Sequence, residues 1–78
     1  MSLAEAMRDE VSVEECLDEL GEALRTLEHV PPTLLAVALR VHLETLLQAL
    51  LESHVCTRAE VRAFVRELER ESLAYGED

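Results

Sequence analysis

Lysine and tryptophan are absent from this 78-residue chain, and glycine, proline, cysteine and methionine occur only twice each. Each scarcity excludes something. Two glycines, Gly21 and Gly76, cannot build a Gly-rich loop that cradles nucleotide phosphates. Phe64 and Tyr75 are the only aromatics, so any core must be Leu, Val and Ala, which suits packed helices and not a β-sandwich. Two thiols, Cys16 and Cys56, are too few for a disulfide scaffold, and on a helical chain they are expected to be reduced. All seven basic residues are Arg, a bias that GC-rich coding produces and that selection for bidentate ion pairing also produces.

Negative charge is plentiful. The formal net charge is −10, unevenly spread. Nine acids stand against Arg8 and Arg25 in residues 1–30, whereas four Arg and four Glu balance over residues 57–72. Such a chain is poorly suited to grip phosphates or anionic lipid, which call for clustered cations, and it suits a basic protein surface. The stretch MSLAEAMRDE lacks a basic n-region and an apolar h-region, so a cytoplasmic protein is expected.

The chain is organised around residues 33–52, TLLAVALRVHLETLLQALLE, in which thirteen of twenty residues are aliphatic. Read as a helix, it carries Ala36, Leu39, Leu43, Leu46 and Leu50 at heptad spacing, and Leu39, Leu43 and Leu46 are expected to be among the most buried residues. Leu35, Leu47 and Leu51 widen that seam past half the circumference, so the helix needs cover on several sides. Arg40, His42 and Glu44 in its middle make it a poor membrane span.

Ser12-Val13-Glu14-Glu15 reads as a capping box opening a preceding helix over about 12–29, with a seam of Val13, Leu17, Leu20, Leu24 and Leu27. Gly21 interrupts it, as simple tolerance or as a close approach of another backbone. Val30-Pro31-Pro32 ends that helix. Thr57-Arg58-Ala59-Glu60 is a second capping box and starts a third helix, with Val61, Phe64, Val65 and Leu68 as its stripe. Residues 1–11 read as weakly ordered, 12–73 as one helical domain and 74–78 as an acidic tail. The fold class is all-α: a small three-helix up-down-up bundle with a long apolar central helix, dimeric because that helix offers more apolar surface than its neighbours can hide.

No chemistry of catalysis emerges, and the chain is read as not an enzyme. Ser12 and Thr57 serve as caps, and no Ser or Cys stands in a recognisable nucleophile pattern. His29, His42, His54, Cys16 and Cys56 show no zinc-ligand spacing, so neither metal nor cofactor is expected. Size and acidity resemble those of acyl carrier proteins, but their Asp-Ser-Leu attachment motif is missing. The nearest string, Glu71-Ser72-Leu73, sits at the end of a helix instead of its start.

The most specific pattern is Arg58, Arg62, Arg66 and Arg70, four apart on one helix face. Glu14, Asp18 and Glu22 form a matching acidic row on the first helix. The two rows either pair within the chain or meet partners on another molecule. The expected function is a small acidic protein–protein interaction module, a homodimer acting as an adaptor, small chaperone or inhibitor of a larger machine. Its contact residues would be Leu35, Leu47 and Leu51 together with the two charged rows. The alternative is a phage- or mobile-element-type inhibitor whose acidic face imitates nucleic acid. That role requires Glu14, Asp18 and Glu22 to be free in solvent.

Overall fold

Ser2 and Glu5 set the first helix. The Ser2 hydroxyl accepts from the Glu5 amide and the Glu5 carboxylate accepts from the Ser2 amide, both at 3.2 Å. In this computed structural model, which describes residues 1–75, the reciprocal cap starts α1, Leu3–Arg8. The segment expected to be weakly ordered therefore carries a helix of its own, and the chain has four helices rather than three. The acidic tail assigned to 74–78 lies mostly outside the described residues.

Asp9 closes α1 and caps α2, Glu10–Arg25, its carboxylate accepting from the Ser12 amide at 3.2 Å. Ser12 thus sits inside the first turn and does not open the helix. An acidic cap serves as well as Ser there and also complements the positive helix end. α2 stops earlier than its apolar periodicity implies. The Thr26 hydroxyl turns back to the Ala23 carbonyl at 2.7 Å, and the following amides bond three residues back, tightening the chain through residues 26–30.

Pro31 and Pro32 then start α3, Pro32–Glu52, the Pro being tolerated where an amide would have no helical partner. Its far end is a Schellman motif. The Val55 amide bonds the Leu50 carbonyl at 3.0 Å and the His54 amide bonds Leu51 at 3.2 Å. His54 takes the left-handed position with φ 60°, a place glycine usually fills. α4, Arg58–Leu73, begins at the Thr57–Glu60 capping box, with both reciprocal bonds at 3.2 Å as the spacing predicts.

Helix accounts for 79% of the described residues and no strand occurs among them, so the all-α class holds. α1 packs against both α2 and α4, while α3 joins no other helix over a comparable extent. Cys56, in the turn before α4, is the one buried hydrophobic side chain among the described residues. A folded chain of this mass exposes about 4,800 Å² by size scaling, whereas this one exposes 6844 Å². Its radius of gyration is 14.0 Å against about 11.5 Å for a closed domain of the same length. Leu39 is 45% exposed and Leu46 61%, against the expectation that they lie deep, and Leu43 is half-buried. The heptad seam identifies a face made for burial, but a single chain does not bring enough apolar surface against it.

Two substitutions check the turn chemistry around α3 and α4. His54→Gly removes the left-handed penalty and is expected to raise unfolding stability by about 0.5–1 kcal/mol. Thr57→Ala is expected to lower it by about 1 kcal/mol through loss of the cap. Urea denaturation followed by circular dichroism reads both.

Candidate protein-interaction surface

The apolar stripe of α2 is open. Every residue from Glu10 to Leu20 is exposed, including Val13, Leu17 and Leu20, and Leu17 is 58% exposed. Cys16 is an exposed free thiol on the same helix. Among the described residues, Gly21 meets no neighbouring atom within 4 Å of an added Cβ, so no close approach of another backbone is seen there.

α3 exposes apolar residues on two sides. Leu34, Val37 and Val41 stack at helical spacing on one face, and Leu39 and Leu46 lie two turns apart on another. Leu35, Leu47 and Leu51, the expected dimer contacts, are half-buried within the chain. Sequence periodicity missed this division because it ranks residues around one helix and does not say which sector the rest of the chain covers.

Shallow apolar clefts mark where the helices meet incompletely. Leu3, Ala6, Met7, Val13, Phe64 and Glu67 line one, where the stripes of α2 and α4 both turn to α1. Ala36, Leu39, Arg40, Leu43, Leu68 and Ser72 line another between α3 and α4.

The charged rows do not pair within the chain. Arg70 bonds Glu67 at 2.6 Å and reaches Glu71 at 3.5 Å, both on its own helix. The Glu67 hydrogen bond is the main reason its guanidinium holds its proton more tightly than usual, with both carboxylates adding to it. Arg40 and Glu44 pair on α3 at 3.2 Å. Arg58, Arg62 and Arg66 are exposed and have no ion pair among the described residues, and the same is true of Glu14, Asp18 and Glu22. α1 packs against both α2 and α4, and those two helices share no contact of comparable extent.

The Glu60 carboxyl is held below its ordinary value of 4.5, chiefly by the hydrogen bond it accepts from the Thr57 amide. Glu5 is lowered in the same way, chiefly by the Ser2 amide.

No three His, Cys, Asp or Glu side chains converge as a metal site among the described residues. α3 has 21 residues and a mean hydropathy of 1.6 in its most apolar window, enough by length and composition to cross a membrane, although Arg40, His42 and Glu44 interrupt its middle. The fold and its exposed surface define an all-α chain of unfinished packing. Comparison with protein-family models, curated proteins and solved structures found no match.

Two outcomes follow from this geometry. A carboxyl with a lowered folded-state pKa adds stability above its unfolded value and loses it as pH falls through the folded value. Wild type should therefore lose more thermal stability below about pH 4.5 than Glu60→Gln, which keeps the cap without titrating. Melting curves at pH 6, 4.5 and 3 test the difference. Gly21→Ala should raise helix stability by about 1 kcal/mol at concentrations where the chain is monomeric, since the new methyl meets open space.

Proposed function

We infer that this chain is a non-catalytic protein-interaction module whose core is completed by a protein partner, first of all a second copy of itself. The observation that carries the reading is the excess of about 2,000 Å² of exposed surface over a closed domain of this size, with the open stripes of α2 and α3 within it. Obligate interfaces remove about 1,000 Å² or more from each partner, so the excess is of the size that a permanent dimer hides. The completed unit is a helical bundle. Its role is regulatory or accessory, as an adaptor, small chaperone or inhibitor in the cytoplasm. α3 fits a protein interface better than a bilayer, because the Arg40–Glu44 pair and His42 sit at mid-helix, where hydrocarbon would be thickest.

One observation favours a second reading, imitation of nucleic acid by an acidic inhibitor. Glu14, Asp18 and Glu22 are exposed and unpaired, as that role demands. It ranks below the dimer because the same helix also exposes Val13, Leu17 and Leu20, apolar surface that mimicry of a phosphate backbone does not use.

Sedimentation equilibrium from 1 to 100 micromolar is the test, and a species of twice 8.8 kDa is expected. An 8.8 kDa species throughout that range sinks the self-association reading. Leu17→Glu should then shift the wild-type dimer to monomer, because a carboxylate would enter the buried stripe.

A further inference from the structure

The open face of α2 mixes large and small side chains in a particular order. At helical spacing, Cys16, Leu17, Ala23 and Leu24 all fall within about 60° of Leu20 on one side of the helix. Cys16, Leu17, Leu20 and Ala23 are exposed, Leu17 to 58% and Leu20 to 49%, and Leu24 is half-buried. The acids of the same stretch are turned away. Glu14, Glu15, Asp18 and Glu22 lie about 120–160° around the helix from Leu20, and Glu19 about 100°. Glu10 stands more than a turn before the face begins. On α3, by contrast, Leu34, Val37 and Val41 centre roughly 150° from Leu39 and Leu46, so one flat partner surface covers only part of its exposed residues.

We propose that two copies of this chain associate by antiparallel packing of α2 on the partner's α2, with the two-fold axis at Leu20. The proposal rests on the dimer reading above and adds its contact face and register. Stepping three and four residues from Leu20 in either direction stays on this face, as a two-fold contact requires. Leu17 then stands level with the partner's Ala23, and Cys16 with the partner's Leu24, while Leu20 meets its own copy. A large side chain therefore meets a small one at each flanking level. Parallel pairing would instead set Leu17 against Leu17 and Ala23 against Ala23, crowding one level and leaving a gap at the other. Opposed helix dipoles favour the antiparallel sense as well. The outward acids fix which way α2 turns, apolar face to the partner and carboxylates to water. They also make a second copy the better occupant than a basic protein, whose cations would find no carboxylates rimming this face. Surface is sufficient: a standard interface takes about 800 Å² from each partner, well within the excess of about 2,000 Å² carried by each chain.

Exchange of the large and small positions tests the register. Leu17→Ala and Ala23→Leu are made singly and together. Both residues are exposed in the single chain, so circular dichroism of dilute samples is expected to show the wild-type helix content. In sedimentation equilibrium each single change should weaken dimerisation about tenfold or more, Leu17→Ala by opening a gap and Ala23→Leu by crowding. The double variant again sets large against small and should dimerise within about threefold of wild type. A wild-type chain that stays monomeric overturns the dimer reading and this pairing with it. A wild-type dimer whose affinity Ala23→Leu leaves unchanged overturns the pairing alone. A double variant no tighter than the weaker single one has the same meaning.

Disulfide trapping gives a second, independent answer. At ordinary interaxial distances the register brings the two Leu20 Cα atoms to about 3.5–5.5 Å, within disulfide reach, and leaves the two Cys16 residues about 12 Å apart along the axis, beyond it. Under the same mild oxidation, a dimeric chain with Cys16→Ser and Leu20→Cys should link at least about tenfold faster than wild type links through Cys16. Equal rates overturn the antiparallel register, and no linkage through either position overturns α2 as the contact face. Both results leave the dimer standing.

Discussion

A helix that is apolar around most of its circumference needs cover on more than one side, and α3 receives too little from its own chain. Much of the molecule's character depends on that shortfall. The turn into α4 brings one edge of α3 near Leu68 and Ser72, which is why Leu43 is half-buried. Among the described residues, nothing lies against Leu34, Val37 and Val41 closely enough to bury them. The hydrophobic free energy available from those surfaces is unspent in the isolated chain, and burying them is the largest stabilisation open to it.

The N-terminal helix changes how the remaining surface is shared. α1 has only six residues, yet it is capped at its start and packs against both α2 and α4. Among the described residues, no ion pair joins the acidic row of α2 to the basic row of α4. Local ion pairs within α3 and within α4 engage Arg40 and Arg70, but they are exposed pairs of small worth and leave Arg58, Arg62 and Arg66 without carboxylate partners among the described residues.

These features are what support the proposal of a working form with more than one chain. Open apolar stripes beside unpaired charges are costly to a monomer, since they invite non-specific contact. In an assembly the stripes supply affinity and the charges supply orientation. Cys16, exposed on the α2 stripe, would be covered in the same event.

Much of the local structure was legible in the residues. The Thr57–Glu60 box, the Pro-Pro break and the three long apolar periods locate α2, α3 and α4, because capping and periodicity are properties of a few neighbouring residues. The Ser2–Glu5 box was equally present, but with only six helical residues behind it there was no long period to announce α1. Helical spacing also put Arg58, Arg62, Arg66 and Arg70 on one side of α4, and Glu14, Asp18 and Glu22 on one side of α2. Tertiary structure alone decided that α1 packs against both α2 and α4, that Leu35, Leu47 and Leu51 are half-buried, and that Leu39 and Leu46 stay exposed. The physical reason is that a helix's own sequence states how much apolar surface it has and where, while burial depends on which other surfaces the chain can bring against it.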